Sequence, residues 1–442
     1  MKKIVGLFII ITTILFCVNV RADTNVVGII GSDTTWTKVN SPYYLTGKML
    51  VDTGVTLTIE AGVTVYLNGY YIMVNGTLFI EGTSSDRINF NNGEIIFTQY
   101  SNGWNQQESS GCIIQNAVVN QTVISADNSI KIDGSIINSY ISVTSSIISN
   151  NTINGDIICS GSTISNDKIT GEISSLSSTI SYNNITGEIS SLNSTISYNN
   201  IRGDITVGSV TVGGYTTAAE TSTIFGNTVE GTIFSGSPKG IPEIFVNAVS
   251  SGGITSTGYG LIYGNYVHDC ADGIKLISVR VFGGILTCHA TVENNTVIDN
   301  NRGVRIELSS LNSPGKQIPV IQNNTITNNS VGISLYEINY NATPIIRYNN
   351  LENNLEYNFY LSASNSPDLS YNFWGTTDES TISQSIYDYK YDFNLGKVNF
   401  VPFLNEPIII PEFTSWSILS VFFLAIISVI IVRKQLEKKI RN

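Results

Sequence analysis

Only 13% of this 442-residue chain is charged, and histidine (2), methionine (3), tryptophan (4) and cysteine (5) are all scarce. Each shortage removes a class of chemistry. Two histidines at unrelated positions, His268 and His289, give neither a dyad nor a metal pair by spacing, and the cysteines form no CxxC or CxxH, so zinc is not indicated. Cys112, Cys159, Cys270 and Cys288 are an even set compatible with oxidation, but four in so long a chain make no disulfide framework. Lys and Arg number 23 against 34 Asp and Glu, a net charge of −11, which excludes the basic face a nucleic-acid binder needs and suits solubility or cation binding instead. Low charge combined with abundant Asn, Ser, Thr, Ile and Gly also disfavours helix, because these residues are weak helix formers and good strand or turn formers.

What is present begins with the two ends. Residues 1–22 carry two lysines, an apolar run and Val20-Arg21-Ala22, which reads as an export signal cleaved after Ala22, with Cys17 inside it. Trp416 to Val432 is a second apolar run, long enough at about 1.5 Å per residue to span roughly 25 Å of bilayer core. The basic residues after it predict a cytoplasmic C-terminus and an exported, cell-surface location for everything before the run.

Between the ends a six-residue signature recurs: an aliphatic residue, two free positions, Asn or Asp (once Ser), one free position and an apolar residue. Its polar member is Asn116, Ser135, Asn151, Asp167, Asn183, Asn199, Asn227, Asn265, Asn295, Asn324, Asn349 and Asn372. The intervals are 19, then 16 four times, then 28, 38, 30, 29, 25 and 23. Helical repeats do not tolerate such variable insertions. A β-solenoid does, since each turn stacks on the last at about 4.8 Å and extra residues leave as loops. Twelve such coils predict a rod of roughly 55 Å before its caps are added.

In the 16-residue coils, Ile148/164/180/196, Ile153/169/185/201 and Ile157/173/189/205 recur in register and predict inward columns. The Asn residues are assigned to a corner, as a ladder of amides bonded from coil to coil. Later coils add a second element, at Gly273, Gly303, Gly332 and Tyr357, where Gly is expected to open a turn and an alternating strand to follow. The predicted organisation is a signal (1–22), an N-terminal β cap with the first coils (23–110), β-helix repeats (111–376), a C-terminal cap and linker (377–411) and a tail with sorting motif, transmembrane helix and basic residues (412–442).

Several stretches carry a resemblance. Thr34 to Thr83 resembles the opening cap of right-handed parallel β-helix surface proteins, and NNTITNNSVGISL resembles the Asn-rich repeats of the NosD-like and pectate-lyase-like superfamily. Ser370 to Leu404 is similar to the closing element of those proteins, which implies that Trp374 covers the last coil. IPEFTSW is similar to the PEF-type sorting tails of archaeal exported proteins. That implies a sorting transpeptidase acting at Pro411, Glu412 and Phe413. The fold so implied is an all-β, right-handed parallel β-helix with an N-terminal β cap and a C-terminal transmembrane helix. Copper, associated with some NosD-like proteins, has few soft ligands to draw on here.

Three sets of residues are candidates for chemistry. Asp156, Glu172, Glu188 and Asp204 each follow a glycine and predict a column of carboxylates, repelling by roughly 1 kcal/mol per neighbour in water. Calcium at Glu172 and Glu188 is one reading of the column, and a solvated acidic stripe is the other. Tyr182 above Tyr198 is a candidate sugar-stacking pair, or simply a pair of good strand residues. Asp272, Asp299, Lys275, Arg302 and Arg305 are the residues an enzyme would draw on, although Lys275 and Arg305 read equally as partners of Asp272 or Glu307 in surface ion pairs. Among nine glycosylation sequons, those at Asn328 and Asn341 read as loops. The functional expectation is a non-catalytic surface protein, structural or adhesive, in contact with envelope glycans or other surface proteins and requiring no other cofactor. The alternative is a surface-anchored polysaccharide lyase or glycoside hydrolase.

Overall fold

A computed structural model describes residues 23–208, 211–212, 215–216, 222–237, 241–281, 284–308, 317–338 and 342–409. The apolar runs at both termini, and with them the predicted signal, the predicted membrane helix and Pro411, Glu412 and Phe413, lie outside the described residues. Among the described residues no helix is long and apolar enough to cross a membrane.

The chain divides into two compact units, residues 1–163 and 164–442. Both consist of short strands that pair in parallel with the strand one coil earlier. Among the described residues the antiparallel strand pairs Thr211–Val212 with Tyr215–Thr216 and Val279–Val281 with Gly284–Leu286 depart from this pattern.

In the first unit the strand Ile88–Phe97 pairs with Ala117–Ala126, which in turn pairs with Ile136–Asn138 and Ile141–Thr144. The segment expected as a cap is itself coiled: Thr24–Ile30 lies parallel to Tyr43–Val51, and Thr56–Ile59 to Thr77–Glu81. In the second unit one coil runs Thr179–Ser181, Asn184–Thr186 and Ile189–Leu192 before the next begins at Thr195.

The register is the one the isoleucine spacing predicts. Ile180 lies beside Ile196, Ile185 beside Ile201 and Ile189 beside Ile205, each fully buried. Thr-Ile-Ser and Asn-Ile-Thr alternate so that each strand sends its Ile inward and its polar neighbours outward. Each buried Ile contributes roughly 1.5–3 kcal/mol, so one coil with three of them is well anchored.

The corner before each ladder Asn is turned by a residue with left-handed φ. Gly226 (65°) and Gly264 (63°) do this readily, as do Asn294 (56°) and Asn323 (56°). Behind them the amide ladder runs from Asn183 through Asn199, Asn227, Asn247, Asn265, Asn295, Asn324 and Asn349 to Asn372. Each Nδ2 donates to the next Oδ1 at 2.9–3.0 Å. Asp167 donates its backbone N–H to Asn183 Oδ1, and in the first unit Ser135 donates to Asn151 Oδ1.

Asn247 corrects the sequence reading. The interval of 38 residues hides a coil, because Ile244-Phe-Val-Asn247-Ala-Val249 carries the full signature and Glu243–Phe245 pairs with both neighbours.

A second correction concerns the wider coils. Gly273, Gly303 and Gly332 lie within strands, not at turns. A second amide ladder, Asn300 to Asn329 to Asn354 to Asn358, runs behind them, and a Cβ on Gly303 would stand 2.9 Å from Asn329 Nδ2 and 2.6 Å from Gly332 O. These glycines clear space for the ladder.

At the C-terminal end Trp374 is buried, its ring 6.3 Å from Phe400, and a short helix, Glu379–Gln384, is capped by Asp378 accepting from the Thr381 N–H. Hydrogen bonding from Thr381 holds the Asp378 carboxyl below its usual pKa.

Candidate functional site

The acidic column is explained first by its glycines. Gly171, Gly187, Gly203 and Gly231 all have φ between 148° and 158°. A Cβ on Gly187 would lie 2.1 Å from Gly171 O, one on Gly203 2.2 Å from Gly187 O, and one on Gly231 2.3 Å from Gly203 O. Backbone stacks on backbone at this corner, so only glycine fits. The residue that follows points out, and Glu172, Glu188 and Asp204 are exposed.

Their register is direct: Ile173 N–H donates to Glu188 O and Ile189 N–H to Asp204 O. Asp204 Oδ1 accepts from the Thr232 backbone N–H at 2.7 Å, and the column ends there. Asp156, in the first unit, is likewise exposed after a glycine whose Cβ would meet Ser139 O at 2.2 Å. Among the described residues no group of three or more His, Cys, Asp or Glu could hold a metal ion. Calcium takes six to eight oxygens, so at Glu172 and Glu188 it would rely mostly on water.

Tyr182 and Tyr198 do come together, ring centroids 5.1 Å apart and planes within 14°. The stack does not stop there. Phe225 meets Tyr198 edge-on at 5.1 Å, Phe245 stacks on Phe225 at 5.1 Å, and Tyr263 stacks on Phe245 at 4.8 Å. Five rings thus line one outward stripe over five consecutive coils. The last three were missed because they occupy a position of the signature treated as free, two residues before the ladder Asn.

The two tyrosines are not strand residues. Each sits at the corner with left-handed φ, 60° at Tyr182 and 55° at Tyr198, where the adjacent coils place Asn166 and Gly226 and later coils also place Val246, Tyr348 and Tyr371. A bulky side chain there costs about 1–2 kcal/mol. Nearly parallel rings 5 Å apart reach contact distance, about 3.5–4.0 Å, only by slipping sideways roughly 3–4 Å, the offset geometry aromatic pairs prefer. Each ring therefore leaves part of its face to solvent, and Tyr182 is 60% exposed.

Of the residues considered for catalysis, Asp272, Arg302 and Arg305 meet in one ion-pair cluster. His268 contacts Asp269 through Nδ1 at 2.7 Å, whereas His289 stacks on Tyr259 and bonds Thr287; burial lowers the His289 pKa. Lys275 and Arg305 are neighbours across adjacent strands. Among the described residues Arg305, rather than Lys275, makes the ion pairs, with Glu307 at 2.8 Å and Asp272 at 3.4 Å, and Arg302 also binds Asp272. Hydrogen bonding to Asp272 raises the Arg302 pKa. Arg305 further covers the Tyr336 ring at 4.8 Å. Asp299 has left-handed φ, 57°, and stands apart from these pairs.

The four cysteines are buried, and burial pushes the thiols of Cys112, Cys270 and Cys288 up to about 11. Asn328 is exposed at a corner, while Asn341 lies outside the described residues.

The family model for a right-handed β-helix region matches residues 243–337, within the second unit. With the parallel register, this makes the fold a right-handed parallel β-helix. Among solved structures the chain is similar to an alginate lyase from Paenibacillus sp. str. FPU-7, at 14% identity and a TM-score of 0.30, over 67% of this chain and 99% of that one. That likeness carries no inference about activity. No curated protein matches the chain.

Proposed function

We propose that the protein is a non-catalytic binding protein whose aromatic stripe, Tyr182, Tyr198, Phe225, Phe245 and Tyr263, contacts a neutral linear glycan. The observation that carries this reading is the backbone at Tyr182 and Tyr198. Aromatic side chains occupy left-handed corners that Gly or Asn would take without strain, and sparsely populated backbone conformations cluster at functional positions. Slipped rings at the strand spacing, Tyr182 on Tyr198 and Phe225 on Phe245 on Tyr263, offer an apolar surface to a polymer that also repeats. The net charge of −11 disfavours an acidic polymer. In this proposal the protein stands at the cell surface, held by the apolar run of residues 416–432 or by whatever a sorting transpeptidase leaves after cutting near Pro411-Glu412-Phe413, and other surface proteins compete for the same stripe.

A glycan array probed with the full chain, repeated with Tyr182→Ala/Tyr198→Ala, tests it. Binding of neutral glycans that weakens at least tenfold in the double variant, with no shortening of the bound chains, is the expected result. Depolymerisation of any bound glycan would replace this reading with the lyase or hydrolase class, and binding indifferent to the double substitution would remove the stripe from it.

A further inference from the structure

A second corner of the coils carries a ladder made of serine. In the first unit Ser146 Oγ accepts the Ile130 N–H and Ser162 Oγ the Ser146 N–H; in the second, Ser194 Oγ accepts from Ser178 and Ser222 Oγ from Ser194. Backbone bonds continue this corner column from Ser222 to Pro242 to Gly260. Proline has no N–H to donate and glycine no hydroxyl to accept, so the ladder ends there.

Inward serines lie beside the column. In the narrow coils Ser175 Oγ bonds Ser191 Oγ at 2.8 Å and reaches the corner Ser194 Oγ of the next coil at 3.5 Å. Ser235 and Ser256 occupy the same relation to each other one turn beyond the ladder's end, in register and both fully buried. Among the described residues neither hydroxyl has a hydrogen-bond partner. The corner residue that would serve Ser235, as Ser194 serves Ser175, is Gly260.

A side-chain carbon built on Gly260 has as its three nearest neighbours Ser256 Oγ at 3.0 Å, Ser235 Oγ at 3.6 Å and Pro242 O at 4.0 Å. All three are oxygens. Buried polar groups are almost always partnered, and a buried water makes about three hydrogen bonds to such groups.

We propose that a water molecule is bound between Ser235 Oγ, Ser256 Oγ and Pro242 O, in the position a corner serine hydroxyl holds in the narrow coils. It lets the helix change from 16-residue coils to wider ones without stranding two buried hydroxyls.

The test uses the full chain. A crystal structure should show solvent within hydrogen-bond distance of both hydroxyls and Pro242 O; a direct Ser235–Ser256 hydrogen bond with no solvent between them would overturn the proposal. Gly260→Ser supplies the hydroxyl itself, so water relaxation dispersion should count one long-lived internal water fewer than in the parent, and an unchanged count would count against it. Should that variant not fold, Ser256→Ala removes one of the three partners: loss of the solvent peak supports the site, and a peak undiminished in that variant refutes it.

Discussion

Truncating one rung of the amide ladder has a calculable cost. The Asn265 side chain is 1% exposed; its Oδ1 accepts both the Asn247 backbone N–H and Asn247 Nδ2 at 3.0 Å, and its Nδ2 donates to Ile244 O and Asn295 Oδ1 at 2.9 Å. In Asn265→Ala some of these groups keep other partners. Asn247 Nδ2 still reaches Ile224 O, and Asn295 Oδ1 still accepts the backbone N–H of residue 265. The Asn247 N–H becomes a buried donor without an acceptor, costing about 1–3 kcal/mol, and the lost bond to Ile244 O costs about 1 kcal/mol more. A total of about 2–4 kcal/mol, at roughly 2–4 °C per kcal/mol, lowers Tm by about 4–16 °C. The control is Asn184→Ala, an exposed strand asparagine in the same unit, where a surface change stays within about 0.5 kcal/mol. Differential scanning calorimetry of both variants decides the matter. Losses equal to within about 2 °C would show that the ladder is not what holds the corners.

Other consequences can be read the same way. Gly203→Ala forces a Cβ to within 2.2 Å of a backbone oxygen, so it should lower Tm more than Gly69→Ala, whose added Cβ meets nothing although both glycines have positive φ; equal losses would refute the close-packed corner. Cys112, Cys270 and Cys288, with thiols near 11, should resist maleimide at pH 7–8 until the protein is unfolded, and rapid labelling of the native protein would contradict their burial. Desolvation works to raise the Asp133 pKa, but hydrogen bonds from Asn150 and Ser149 and the nearby Lys131 outweigh it, so the folded pKa lies below the unfolded value near 3.9. Its stabilisation is therefore present above that unfolded value and lost as pH falls through the folded one. Asp133→Asn should flatten the acid limb of a Tm-versus-pH curve below about pH 4, and an unchanged limb would dismiss the assignment. Glu172→Gln with Glu188→Gln should raise Tm slightly at low salt by relieving repulsion of roughly 1 kcal/mol. A fall in Tm seen only with calcium present would identify the pair as a cation site instead.

Much of the fold was legible because it is written twice. Isoleucines 16 residues apart have one way to bury together in a stack, and an Asn at each corner names its own partner in the next coil. What escaped was whatever used a position the repeat leaves open. Phe225, Phe245 and Tyr263 stand at such a position, so their alignment emerges only when coils of 28, 20 and 18 residues are brought into register. The coil at Asn247 was hidden by reading an interval as one loop. The serine corner and the ladder of Asn300, Asn329 and Asn354 were invisible to a pattern that allowed one polar rung per coil. The glycines of the wider coils were misplaced for a related reason: glycine was read as a turn former, when here it is the residue small enough to pass a ladder.

Inside the coil, each residue type is dictated by the copy above and below it, and its recurrence says nothing about function. The glycine before each acid recurs because no Cβ fits, and the acid recurs with it as the next residue outward. Tyr182 and Tyr198, like Tyr348 and Tyr371 at the same corner, are not dictated in this way. Their position holds asparagine or glycine in the adjacent coils, and the backbone there disfavours a large side chain. Self-stacking offsets part of the cost, about 0.5–1.5 kcal/mol per pair, against about 1–2 kcal/mol of backbone strain at each of the two residues. The shortfall is what a ligand on the exposed faces would supply. If Tyr182→Gly/Tyr198→Gly proves more stable than the parent while losing glycan binding, the stripe is maintained for its surface; if it proves less stable, the stack is part of the scaffold and the glycan reading loses its main support.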